Sequence, residues 1–220
     1  VSSVNDQPIP AAAVIVNIAE EGIASGTATA TDAADSNTAF TFSVPTTGAG
    51  AASNGLVTIG ANSGAWTYAP AANFAGSDTF TITIDDGSGE GNATATQVVT
   101  VNVGAVNDAP VSGGDVSFSG TEEDASITGQ VPTATDVDGN PLTYSVVGTA
   151  PDGVTFNTAN GSFSVTPSAA DQGLDDTESR DVVFQYLASD GALSSAPATV
   201  TVTINGVNAA PVAGGDASAS

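Results

Sequence analysis

Val99-Thr100-Val101-Asn102-Val103-Gly104-Ala105-Val106-Asn107-Asp108-Ala109-Pro110 decides how this chain folds. Its first five residues alternate apolar and polar, the period of two that sends every second side chain to one face of a half-buried strand. Its last five form a polar phrase closed by a proline, which fixes φ and removes a backbone donor, so the strand stops there. The pattern returns as Val200-Thr201-Val202-Thr203-Ile204 followed by Val207-Asn208-Ala209-Ala210-Pro211, and the phrase alone also stands at Val4-Asn5-Asp6-Gln7-Pro8. The copies lie 102 and 101 residues apart. A repeat of that length is a domain, not a solenoid turn.

Other segments keep the register. Phe40-Thr41-Phe42-Ser43-Val44 answers Leu142-Thr143-Tyr144-Ser145-Val146, and the run from Thr79 to Ile84 answers Val182 to Ala188. Between the runs lie turn formers such as Asp86-Gly87, Asp138-Gly139-Asn140-Pro141 and Asp190-Gly191. No segment of helical length shows helical periodicity. Short strands punctuated this regularly predict a β-sandwich in each repeat. The expected boundaries are residues 1–107 and 108–208, with 209–220 opening a following repeat or tail. Val1 falls in mid-linker, as expected of an internal fragment.

Composition excludes whole classes of function. The 220 residues include 24 Asp plus Glu against one Lys or Arg, a formal charge of −23, with no Cys, His or Met. Arg180 cannot by itself neutralise phosphates, so nucleic acid and anionic membrane surfaces are not expected partners. No apolar run reaches the ~20 residues of a spanning helix, so no direct membrane insertion is expected. With 40% hydrophobic residues, the chain has enough apolar surface for two cores despite its charge. Without His or Cys, and with its acids repeated in both modules, the chain is expected not to be an enzyme.

The acids gather in turns and at the linker. Glu20-Glu21 and Glu122-Glu123 follow first strands; Asp32 and Asp35 answer Asp136, Asp138 and Asn140; Asp85-Asp86 answers Asp190. Loops of a sandwich cluster at its two ends, so these acids converge at the module poles. Converging carboxylates repel unless a cation bridges them, and hard oxygen donors with no His or Cys suit calcium (Ca2+), which takes 6 to 8 oxygens. Asp136-Val137-Asp138-Gly139-Asn140 alternates oxygen donors around a Gly that permits a tight turn, without the helices or 12-residue frame of an EF-hand. The plain alternatives are a solvated turn at Asp136 to Asn140 and surface charge at the two Glu pairs.

Glu122-Glu123-Asp124, Ala134 to Ser145, Leu174-Asp175, Ala188-Ser189-Asp190-Gly191 and Val106-Asn107-Asp108-Ala109-Pro110 together resemble the cadherin-like and VCBS-type repeats of large bacterial RTX adhesins. The resemblance spans nearly the whole chain and is looser in the first module. It implies an all-β chain of two tandem immunoglobulin/cadherin-like Greek-key sandwiches, monomeric, with calcium at each joint. Carried over by position, the internal joint would use Glu20, Glu21, Asp78, Asn107, Asp108, Asp136, Asp138, Asn140 and Asp190. An upstream joint would use Asp6, Asp32, Asp35 and Asp86, and a downstream one Glu122, Glu123, Asp175 and Asn208. The first module reads Asp32-Ala33-Ala34-Asp35 where the second has Asp-x-Asp, and Ala209 replaces the Asp of the third linker, which implies fewer ions downstream. The implied function is a calcium-stiffened extender of a secreted, cell-surface bacterial adhesin in attachment or biofilm formation, its partners being neighbouring repeats. Each module would add roughly 40 Å. The alternatives are a glycan- or protein-binding module and a homophilic contact.

Trp66 and Tyr68 match Phe163 and Val165 of the other module, so core packing or a rim contact is expected there in preference to a sugar platform. Gly113-Gly114-Asp115 and Gly214-Gly215-Asp216 read as turns beside the linker. The sequons at Asn92 and Asn160 receive no role.

Overall fold

Alternation in the sequence becomes pleat in the structure. The computed structural model describes residues 5–32 and 39–208, and the chain divides into two units between Val106 and Asn107. In the first lie β1 (Ile9–Pro10), β2 (Val14–Ala19), β3 (Ala24–Thr27), β4 (Ala30–Thr31), β5 (Thr41–Ser43), β6 (Gly55–Ile59), β7 (Ala65–Pro70), β8 (Gly76–Asp85) and β9 (Thr94–Gly104). The second holds β10 (Val116–Thr121), β11 (Ile127–Gln130), β12 (Thr143–Val146), β13 (Val154–Phe156), β14 (Ser162–Val165), β15 (Ser179–Ser189) and β16 (Ala198–Asn205), with a single 3-10 turn at Asp171–Gly173. The expected third repeat and Gly214-Gly215-Asp216 fall outside the described residues. No described helix is long and apolar enough to cross a membrane.

Each unit is the expected sandwich. Unit 1 packs a four-stranded sheet, β2-β9-β8-β5, on a three-stranded one, β3-β7-β6; unit 2 packs β10-β16-β15-β12 on β11-β14-β13. Among the described residues all pairings are antiparallel except two: β2 runs parallel to β9, and β10 parallel to β16. Because β2 points the same way as the last strand of unit 1, and β10 the same way as that of unit 2, the chain enters each unit at one pole and leaves at the opposite one. An array of end-to-end repeats needs that polarity, and an even up-and-down meander would not supply it.

The alternating residues fill the cores as read. In unit 1, Phe80, Ile82, Ile84, Val99, Val101 and Val103 line one inner face and Trp66 and Tyr68 the other; in unit 2, Phe184, Tyr186, Val200, Val202 and Ile204 meet Phe163 and Val165. Trp66 meets Phe80 edge-on with ring centroids 5.4 Å apart, and Phe163 meets Phe184 likewise at 5.4 Å. Both rings lie over a glycine on the neighbouring strand, Gly26 opposite Trp66 and Gly129 opposite Phe163. A Cβ on either glycine would come within 2.5 Å of the ring, so the small residue is required by the large one. Trp66 is 2% exposed and can offer no face to a sugar.

Candidate metal centre

At the N-terminal pole of unit 2 the turn after Ala134 is wound around one carboxylate oxygen. Asp136 Oδ1 accepts the N–H of Asp138 at 3.0 Å and of Asn140 at 3.3 Å, and Gly139 turns with φ near 75°. An Asp that bonds backbone two and four residues on is an ordinary loop organiser. The linker is then pinned to this loop, because Asp108 N–H donates to Asp138 Oδ2 at 2.8 Å. Asn107 ties in the third segment: its amide nitrogen donates to Asp190 Oδ2 at 2.6 Å, and its oxygen accepts from Asn140 at 2.8 Å. Asp190 Oδ1 accepts the N–H groups of Ala192 and Leu193, both at 2.6 Å. The Asn107 amide, with those two N–H groups, holds the Asp190 carboxyl below its ordinary value.

One connected network thus joins Asn107, Asp108, Asp136, Asp138, Asn140 and Asp190, drawn from three distant stretches of sequence. Two of its oxygens, Asp108 Oδ2 and Asp136 Oδ2, are buried without a hydrogen-bond donor. A buried carboxylate oxygen with no partner costs free energy comparable to several lost hydrogen bonds. A divalent cation would satisfy both, and the donor set, oxygen throughout, fits calcium.

Unit 1 repeats part of this arrangement. Asn5 donates to Asp86 Oδ2 at 3.1 Å, as Asn107 does to Asp190, and Asp86 Oδ1 accepts the N–H of Ser88 at 2.8 Å. The Ser88 N–H, against the opposing effect of burial and with help from the Ser88 hydroxyl and Asn5, keeps the Asp86 carboxyl low. Asn92 exchanges hydrogen bonds with Asn5. Asp32 and Asp86 are both buried and Asp6 is exposed. Asp35 lies outside the described residues.

The C-terminal poles also match. Glu20 Oε1 accepts the N–H of Val106 at 2.7 Å, and Glu122 Oε1 accepts the N–H of Val207 at 3.0 Å. Both glutamates are buried, while Glu21 and Glu123 are exposed. Glu122 Oε2 is a third buried carboxylate oxygen without a donor. Asp175 lies exposed in the loop before β15, where the Thr177 hydroxyl and N–H hold its carboxyl low. Asn208 follows Val207 and is exposed.

Asp78 does something other than expected. It faces inward on β8 opposite Val101, the place that Val182 takes opposite Val202 in unit 2. Its oxygens accept from Ser53 N–H at 3.1 Å, Asn54 N–H at 2.7 Å, Tyr68 Oη at 3.0 Å and Thr79 N–H at 2.9 Å. A carboxylate has about four acceptor positions, and here all are used. Asp78 is a strut inside unit 1, not the counterpart of Asp175.

Three participants escaped the sequence reading. Asn92 stands in a sequon to which the sequence alone assigns no role. Asp171, 1% exposed, binds Arg180 in a fork through Nε and, at 2.7 Å, Nη2; the single cation of so acidic a chain was itself the signal that a buried acid awaited it. Gln172 donates to the Glu122 carbonyl at 2.5 Å, and nothing in the sequence marks it.

Comparison with solved structures identifies the architecture. Human protocadherin-24 EC1-2 (Form II) superposes with TM-score 0.59 at 19% identity, over 94% of this chain and all of that one (100%). Mouse cadherin-23 EC22-24 gives 0.55 at 18% identity over 94% of this chain and 67% of that one. Drosophila N-cadherin EC1-4 gives 0.56 at 17% identity over 92% of this chain and 50% of that one. This chain therefore spans about two thirds of the mouse fragment and half of the fly fragment, and at such identities the likeness is one of fold. No curated protein matches the sequence. The sequence profile of the bacterial cadherin-like domain matches residues 5–104 and again 107–206, one match per sandwich. The chain belongs to the bacterial cadherin-like domain family and carries two copies in tandem.

Proposed function

We propose that this chain is a calcium-rigidified extender, a pair of spacer repeats from a secreted, cell-surface bacterial adhesin of the RTX type. The observation that carries this reading is the duplicated pole chemistry: each unit has an Asn-bracketed acidic pole where the chain enters and a buried glutamate gripping the linker where it leaves. Membership of a cadherin-like family and the donorless buried oxygens of Asp108, Asp136 and Glu122 support it.

A joint would form where the outgoing pole of one repeat meets the incoming pole of the next. Glu20 and Glu21 would then serve with Asn107, Asp108, Asp136, Asp138, Asn140 and Asp190. Asp6, Asp32, Asp35 and Asp86 would serve upstream, and Glu122, Glu123, Asp175 and Asn208 downstream. Bound calcium would supply positive charge at each joint, with these side-chain oxygens as its ligands. The chain's own groups do the rest: the Asn brackets hold the loops together, and the pinned linker amides at Val106, Asp108 and Val207 direct the backbone. Sites of extracellular modules bind calcium at about 10⁻⁴ to 10⁻³ M, so such a rod would form outside a cell. The partners are neighbouring repeats, and the chain acts as a monomer without catalysis.

Small-angle scattering of the full chain in calcium and in chelator tests the proposal. A longer maximum dimension and a narrower distance distribution in calcium are expected. Identical curves in the two conditions, with calorimetry showing no calcium uptake, would end it.

A further inference from the structure

Unit 1 passes from β7 to β8 through residues 71–75, whereas unit 2 passes from β14 to β15 through residues 166–178. The longer connection carries Asp171, Asp175, Asp176 and Glu178, a strap that should repel itself away from an acidic unit. It lies down instead. Asp171 takes the Arg180 fork on both oxygens, and Ser168 adds its N–H at 2.6 Å and its hydroxyl at 2.7 Å.

From that clamp, contacts run to the outgoing chain. Leu174 N–H bonds the Asp171 carbonyl at 3.0 Å, and the Leu174 side chain packs on the unit 2 core. Gln172 holds the Glu122 carbonyl. Gly206 N–H donates to the Glu178 carbonyl at 3.0 Å, and a Cβ at Gly206 would stand 2.0 Å from the Asp175 carbonyl oxygen. Val207 N–H is then taken by Glu122 itself.

We propose that Arg180 is a positioning residue for the C-terminal pole of unit 2: paired with Asp171, it holds the acidic strap against Glu122 and the outgoing chain at Gly206, so that this pole is formed before any cation arrives. A planar fork suits the task, since it engages both carboxylate oxygens at once where a Lys ammonium engages as a point charge. The proposal rests on the extender reading only in treating this pole as a cation site.

Hydrogen exchange on the full chain, with R180Q and R180K as variants, tests it. In chelator, R180Q is expected to lose about tenfold or more of the protection at Leu174, Gly206 and Val207 while Val200 and Val202 in β16 keep theirs; R180K recovers part of the loss. Wild-type protection at Gly206 and Val207 in R180Q overturns the proposal, and so does a loss shared equally by β16, which would make Arg180 a general stabiliser. Should R180Q not fold, R180K is compared with wild type on the same amides and by the same criteria. In added calcium, R180Q should need more ion than wild type to protect Val207 and an unchanged amount to protect Asp138 and Asn140. If wild type responds to calcium at neither pole, the extender reading falls, while the chelator comparison still decides the clamp.

Discussion

Asp78 offers a sharp test of the packing argument, because its replacement by Asn changes one oxygen to nitrogen and little else. The carboxylate faces four donors, two per oxygen. An Asn side chain must point its NH2 at one pair. The less costly side is that of Asn54 and Tyr68, because the Tyr68 hydroxyl already lies 3.2 Å from the Asn54 carbonyl and can donate there while accepting from the new amide. Asn54 N–H is then left without an acceptor, and the remaining bonds lose their charge assistance. One orphaned donor and one weakened pair cost about 2–3 kcal/mol; Asp78→Ala, which strips all four, costs about 4–5 kcal/mol. For a domain of this size, the Asn variant should lower the melting point by about 10–20 °C. Trp66 is the only tryptophan in the chain and lies in the unit 1 core, so its emission reports unit 1 alone during urea or thermal unfolding. The pH dependence adds a second check. Burial pushes the Asp78 carboxyl up, but the N–H groups of Ser53 and Asn54, the Tyr68 hydroxyl and Thr79 N–H outweigh it and hold the group below its ordinary 3.8. A depressed carboxyl stabilises the fold above its unfolded value and loses that contribution as pH falls through the folded one. Wild-type unit 1 should therefore weaken below about pH 4, and Asp78→Asn should be flatter there. A cost under about 1 kcal/mol, or an acid limb as steep in Asp78→Asn as in wild type, would refute the strut.

Gly129→Ala should cost unit 2 about 1–3 kcal/mol in denaturant unfolding, since its methyl would meet Phe163 at 2.5 Å and Phe118 at 2.9 Å; a neutral result would mean that the ring moves freely. Asp136→Asn keeps an oxygen for the two turn bonds and replaces the donorless one, so the melting point in chelator should hardly move while calcium affinity by calorimetry falls about tenfold or more; an unaltered isotherm would remove Asp136 from the ligand set. Saccharides should leave Trp66 emission unchanged, because the indole is enclosed; a saturable shift would reopen the platform reading.

The strands and the repeat were legible because their signal is local. Val99 to Val103 can alternate into a core only as a strand, and its counterpart at Val200 to Ile204 does so with equal burial. The poles were legible as collections but not as geometry. Glu20 and Glu21 look alike in the sequence, yet one is buried and the other exposed. Strand parity could have separated them: Val14, Val16 and Ile18 face inward along β2 and Glu20 continues that face, as Glu122 continues the face of Val116, Phe118 and Gly120. The same test condemns the role expected of Asp78, which shares its face with Phe80, Ile82 and Ile84. Asn92 was invisible for another reason: an amide that joins a pole through a partner 87 residues away leaves no periodic trace.

That parity also explains why the poles depend on the sheets and not on loop chemistry alone. The last residue pair of β2 and β9 is Ala19 with Gly104, and that of β10 and β16 is Thr121 with Asn205. In each unit the glutamate comes next on the first strand, and the amide it accepts belongs to the second residue beyond the partner strand, Val106 or Val207. A slip of one residue between first and last strand would turn the glutamate to the outer face and the core valines with it. Hydrophobic register and linker capture are thus one geometrical condition. The cost of exposing a row of core side chains protects the position of a single carboxylate at the exit. A pole built this way can keep its acids close together through folding, with the burial of Val99 to Val103 or Val200 to Ile204 opposing their repulsion.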